Sequence, residues 1–248
     1  IGGTSASYSI IINKKIKDSK NRILGKPNAI QPDLWELEAI MSTAGGAFDW
    51  FVKSFYLSSS DIEQKYALAI KEAQDPAIKT NELFFLPHLS GERSPYWSNI
   101  PKGAFVGISL KNFRPHFGKA VLEGVAFMFR LYTEIFSNLG VRRPETLKFG
   151  GGMAKNKLWL QIIADVLDMK IQVPKIINSE FLGGTIIAAK SLNYFKTIKE
   201  AAEHIIKIDY QLKPNPSSVS YYDSKYSLFK LLYPSLEPFF KQLISENT

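Results

Sequence analysis

Two periods of apolar residues alternate along the chain, and each change of period marks a new element. The clearest change lies in Gly103 to Glu123, GAFVGISLKNFRPHFGKAVLE. Phe105, Val106 and Ile108 are aromatic or β-branched and sit around Gly107, which predicts a buried strand. A polar loop, Lys111 to Arg114, leads to Pro115, a residue suited to the first turn of a helix. Phe117, Val121, Val125, Met128, Tyr132, Ile135 and Leu139 then recur every three or four positions and predict one apolar helical face. Ala120 and Gly124 place small residues on that stripe, where another backbone can pack closely.

The same reading orders the rest of the chain. Ile1 to Asn13 is a Gly-Ser-Thr turn followed by a β-branched run, and with Ile23-Leu24 beyond the polar turn Lys17 to Asn21 it predicts a β-hairpin. Glu36 to Trp50 begins as a strand and becomes a helix near Ser42. Ser60, with Glu63 three residues on, predicts a capping box for a peripheral helix through Gln74. Leu83 to Pro87 reads as a buried strand feeding the polar, aromatic loop His88 to Trp97. Strands at Thr146 to Phe149 and Lys170 to Pro174 flank a helix opened by Gly150 to Asn156 and running to Asp168. A helix from Leu182 to Asn193, capped by Asn178 or Ser179, has Gly183-Gly184 and Ala188-Ala189, which predict close packing. Thr197 to Ile206 is a short amphipathic helix, and Lys213 to Ser218 a turn-rich connector. Aromatics from Tyr222 to Phe240 recur at helical spacing, with Pro234 and Pro238 expected to kink or divide that last helix.

Composition narrows the class. The 248 residues can bury a sizeable core, and 45% hydrophobic with 22% charged residues is the balance of a globular protein. The formal charge of +8 can steer anions such as nucleotides or sugar phosphates, but the first reading of it is a lysine-rich surface that aids solubility. Its lysines are scattered, whereas nucleic-acid binders cluster them, so no nucleic-acid partner is expected. The chain has no cysteine, which removes disulfides and thiolate chemistry and fits a cytoplasmic protein. No apolar run is long enough for a transmembrane helix, and no membrane association is expected. Ile1 is not an initiator and opens in mid-strand, so we expect a piece of a longer protein.

Three glycine segments carry the chemistry. Gly3-Thr4-Ser5 can bring backbone N–H groups and hydroxyls to an anion. Gly45-Gly46 lies inside a helical pattern, where glycine costs about 1 kcal/mol relative to alanine and needs either close packing or a ligand as its reason. Gly150-Gly151-Gly152-Met153 turns from strand to helix, a geometry suited to nucleotides but matching neither the P-loop nor the dinucleotide fingerprint. The particular residues say more. Gly103 to Glu123, with its glycine pair, His116 and the ending Ala120-Val121-Leu122-Glu123, resembles the second signature of the FGGY carbohydrate kinases. The triple glycine followed by Asn156, Leu158-Trp159 and Gln161 to Asp165 resembles that family's adenosine motif, and Gly91-Glu92-Arg93-Ser94-Pro95-Tyr96-Trp97 its xylulose- and gluconate-kinase branch.

The resemblance implies that residues 1–248 are the C-terminal actin-like (ribonuclease H-like) α/β domain of such a kinase, a mixed sheet flanked by helices. It implies ATP and Mg2+ as cofactors, with Gly3, Thr4, Ser5, Gly45, Gly151, Gly152, Met153 and Asn156 at the nucleotide. It also implies that the sugar site and the catalytic aspartate lie in an N-terminal domain upstream of Ile1, so no catalytic residue is expected here. The expected partners are that domain, a second copy in a homodimer, and a ketopentose or sugar acid, with D-xylulose first. The alternatives are gluconate or another polyol as acceptor, or an actin-like ATPase with a scaffold or chaperone role. The residues themselves suggest no metal site: His88, His116 and His204 lack ligand spacing. Asp49 and Asp165 read as solvated helix carboxylates, and Glu92 and Arg93 as a surface pair.

Overall fold

The computed structural model describes residues 1–31, 33–57 and 60–246. Strand β1 (Ala6–Ile12) runs antiparallel to β3 (Trp35–Met41), Ala6 opposite Met41 and Ile12 opposite Trp35. Strand β2 (Leu24–Pro27) pairs with the other edge of β3, so the expected β1–β2 hairpin does not form. The reason is legible in β3, whose alternate Leu37, Ala39 and Met41 are buried and make it the strand with two neighbours to hold. β2 is exposed throughout and ends in a proline, which suits an edge.

Helix α1 (Gly45–Phe55) follows β3, and α2 (Ile62–Gln74) follows α1. The cap of α2 is Asp61 and not Ser60: its extended backbone lets the carboxylate accept from the N–H groups of Glu63 and Gln64, at 2.8 and 3.4 Å. Strands β4 (Phe84–Leu86) and β5 (Ala104–Val106) form an antiparallel pair. β5 is half-buried and stops where Gly107, at φ +84°, turns the chain outward, which leaves Ile108 exposed rather than in the predicted buried strand.

The organising element is α3 (Arg114–Asn138), buried almost all round from Gly118 to Phe136. Its glycine works as its spacing suggested: a Cβ on Gly124 would lie 2.3 Å from the Phe85 carbonyl oxygen. His116 closes the helix start, its Nδ1 accepting from the Phe113 N–H at 3.1 Å. Trp159 crosses from the next helix to donate through Nε1 to the Leu122 carbonyl at 2.9 Å.

The C-terminal part carries the mixed sheet. β6 (Thr146–Lys148) pairs parallel with β7 (Lys170–Pro174), and β8 (Ile208–Leu212) pairs antiparallel with β7. Between β6 and β7 the predicted single helix is divided: a 3-10 turn, Gly152–Lys155, precedes α4 (Lys157–Leu167). Helix α5 (Ser179–Ser191), capped by Asn178, starts earlier than expected. It lies on the surface, and among the described residues no atom beyond the chain neighbours and the helix's own backbone falls within 4 Å of where a Cβ on Gly183 or Gly184 would stand, so the expected close packing is absent there. Helix α6 (Ile198–Ile205) packs beside it.

Helix α7 (Pro216–Ser245) is one element that holds both Pro234 and Pro238, and the supposed connector supplies its Asn215 cap and first turn. It closes the core with Tyr222, Tyr226, Phe229, Tyr233 and Phe240. Where it meets α3, buried Lys225 donates to Glu123 Oε2 at 2.5 Å and to Thr80 Oγ1 at 2.8 Å, and also to the Thr80 carbonyl. Among the described residues no helix is long and apolar enough to cross a membrane.

Candidate functional site

Backbone hydrogen bonds stitch the three glycine segments together. The Gly2 N–H donates to the Gly150 carbonyl at 2.9 Å, and the Gly2 carbonyl accepts from Met153 at 3.0 Å. On the other side, the first amides of α1 are spent on the turn: Ala44 and Gly46 donate to the Thr4 carbonyl and Gly45 to that of Gly3, at 2.8, 3.0 and 2.8 Å. Such contacts demand bare main chain. A Cβ on Gly45 would lie 2.4 Å from the Gly3 oxygen, so close packing is the reason for that glycine. Gly151 has φ +91° and would bring a Cβ within 2.5 Å of the Gly2 oxygen. It shapes the turn, whereas among the described residues nothing beyond the chain neighbours lies within 4 Å of the corresponding point on Gly152.

The stitching leaves donors over. The N–H groups of Thr4 and Ser5 meet no acceptor within the described chain, and both hydroxyls are unpaired there as well. Consecutive free amides at a turn make a concavity for an anion. Beside them opens a cavity of about 710 Å³, lined by Gly3, Thr4, Gly45, Gly152, Met153 and Asn156 among others. Six of the eight expected residues therefore meet at one place; Gly151 supports its wall, and Ser5 faces the neighbouring cavity described below. Asn156 also caps α4, its Oδ1 accepting from Trp159 at 3.1 Å.

The far wall comes from α1 and α2, through Phe48, Asp49, Ile62, Tyr66 and Ile70. Asp49 accepts from Tyr66 and from Lys53, each at 2.7 Å. Burial pushes its carboxyl upward, but those two hydrogen bonds outweigh it and hold the group below the ordinary range. Burial, then the Asp49 carboxylate, raise the Tyr66 hydroxyl. Lys155 lines the cavity with no acidic partner among the described residues. The described residues hold no group of three or more carboxylates, imidazoles or thiols fit for a metal.

A second cavity, of about 560 Å³, meets the first at Thr4 and is lined by Ser5, Ser42, Glu92, Arg93, Trp97 and Asn99 among others. Here the expected surface pair is overturned. Glu92 is 3% exposed; its Oε2 pairs with His88 Nδ1 at 2.9 Å, and its Oε1 accepts from the amides of Ser42 and Arg93 at 2.7 and 2.9 Å. Asp165 is likewise buried, not solvated; it accepts from the Asn215 amide and Gln161 Nε2, both at 2.8 Å.

Residues 1–192 match the family model described as the FGGY family of carbohydrate kinases, C-terminal domain. The chain belongs to that family. A xylulose kinase of Staphylococcus epidermidis is 31% identical over 82% of this chain and 40% of its own length. A gluconate kinase structure from Lactobacillus acidophilus superposes with a TM-score of 0.86 at 22% identity, over 97% of this chain and 47% of that one. A xylulose kinase structure from Rhodospirillum rubrum gives 0.83 at 24%, over 96% and 46%. The chain thus spans less than half the length of these relatives, and its fold is the actin-like α/β fold of FGGY kinases.

Beside the FGGY motifs, sequence reasoning passed over α2 as peripheral. Ile62, Tyr66 and Ile70 share one helical face, a spacing that could have marked a cavity wall. It also passed over His88, whose pairing four residues on with Glu92 was present as a spacing but not as a burial.

Proposed function

We propose that this chain is the nucleotide-binding half of an ATP-dependent carbohydrate kinase, which transfers the γ-phosphate of ATP to a sugar hydroxyl. The cavity at Gly3-Thr4, Gly45 and Gly152 carries the reading: open main chain on one wall, free amides and hydroxyls at its edge. Phosphoryl transfer depends chiefly on positioning and on donors aimed at developing charge, and this arrangement suits both. Thr4 and Ser5 donate to phosphate oxygens, Gly152 and Met153 give a flat backing for the nucleoside, and Lys155 adds positive potential.

Mg2+, when bound, neutralises phosphate charge. The described residues hold no cluster of three or more ligands that would fix it by themselves. The hydroxyl-activating aspartate and most sugar contacts belong to the N-terminal half that full-length relatives carry. The acceptor is a ketopentose or sugar acid, D-xylulose first, a choice supported by the xylulose and gluconate kinases among the relatives.

Two measurements test the reading. Titration of the chain with ADP should show saturable binding, abolished in Gly152→Val; failure to bind ADP overturns the nucleotide assignment. The full-length protein should consume ATP only when a sugar is present. ATP hydrolysis indifferent to D-xylulose, D-gluconate and glycerol removes the kinase assignment.

A further inference from the structure

The second cavity is chemically unlike the first. Among its described lining residues the one carboxylate is Glu92, which is buried and offset by donors from His88, Ser42 and Arg93, so no free acid of the described residues faces the space. The one cation among those described residues, Arg93, is the reverse. The backbone of Arg93 is pinned, its N–H donating to Ser42 Oγ at 3.1 Å and to Glu92 Oε1 at 2.9 Å. The following residue, Ser94, donates to the Ile40 carbonyl at 2.9 Å, which ties the loop to the end of β3. Yet the guanidinium is exposed, with no hydrogen bond or ion pair among the described residues. Around it stand the hydroxyls of Thr4 and Ser5 and the side-chain amide of Asn99, all without a partner in the described chain.

We propose that this cavity is an oxyanion subsite in which Arg93 binds the carboxylate of a sugar-acid acceptor or the phosphate of the phosphorylated sugar product. A guanidinium presents paired donors that match both groups, and a pinned backbone reduces what must be ordered on binding. The cavity meets the nucleotide cavity at Thr4, so an oxyanion here lies beside the turn expected to hold the phosphates. Its place on the acceptor side rests on the kinase reading; the oxyanion site does not. The His88–Glu92 pair has a positioning role, holding the amides of Ser42 and Arg93 in place.

Calorimetric titrations of the chain with inorganic phosphate, D-xylulose 5-phosphate, D-gluconate and, separately, ADP test this in wild type, Arg93→Gln and Arg93→Lys. At least one oxyanion ligand should bind, weakened about tenfold or more in Arg93→Gln and less in Arg93→Lys. Both variants should keep wild-type ADP affinity. Binding of the two phosphates identifies a phosphoryl group as the natural occupant, and binding of gluconate alone a sugar-acid carboxylate. Absence of all three from wild type, or equal affinity in Arg93→Gln, overturns the proposal. Failure of ADP alone counts against the kinase reading and leaves the Arg93 comparison to stand by itself.

Discussion

Lys225 is the residue with the most to lose. Burial pulls its ammonium below the ordinary lysine range, and the Glu123 carboxylate pulls it back. Lys225→Ala would strand Glu123, 1% exposed, without its cation, so we expect a loss of about 3–5 kcal/mol in urea unfolding. The double variant Lys225→Met with Glu123→Leu removes both charges and should recover most of it. Asp165 behaves oppositely. Burial raises its carboxyl despite the donors from Asn215, Gln161 and Ser218. The folded chain then binds that proton more tightly than the unfolded one, giving stability at low pH that is lost as pH climbs past the folded value. Asp165→Asn keeps an acceptor oxygen and should exceed wild type in urea midpoint at neutral pH, the gap closing as pH falls through the carboxylate range. At this scale the glycines were readable because a missing side chain is itself the signal. His88 and Glu92 were not: burial of a charged type depends on neighbours from distant elements.

Two glycine sites separate packed helices from open ones. On α3, Gly124→Ala drives a Cβ into the Phe85 carbonyl and should cost about 1–3 kcal/mol, since β4 cannot retreat without disturbing the core. On α5, Gly183→Ala and Gly184→Ala meet nothing and replace poor helix formers, so each should stabilise the chain by about 0.4–1 kcal/mol in thermal or urea unfolding. A destabilising result on α5 would mean that its exposed face is covered. The contrast explains the uneven legibility of the elements. The period of α3 and the alternation of β3 announce themselves locally, but the glycine pair of α5 looks no different from one pressed against a neighbour. The unformed β1–β2 hairpin has the same origin: adjacency in sequence is only one of several pairings that a β-branched strand can accept.

For the molecule as a whole, ligand linkage is the informative experiment. ADP at a hundred times its dissociation constant should raise unfolding free energy by about 2.7 kcal/mol, visible as an upward shift in melting temperature. Gly152→Val should abolish the shift with little change in the apo melting point, because among the described residues no atom beyond its immediate chain neighbours lies within 4 Å of its Cβ position. Local pattern by itself determined the long α3 core helix, most of the strands and which short stretches had to remain bare, since periodicity and side-chain size act within a few residues. Motif resemblance added the family. Tertiary structure alone decided that these bends join through their backbones into one cavity, that β3 stands between β1 and β2, and that Glu92 is buried while the Arg93 guanidinium meets no partner among the described residues. Those outcomes depend on which distant surfaces exclude water from each other, a property of the folded packing that no local window contains.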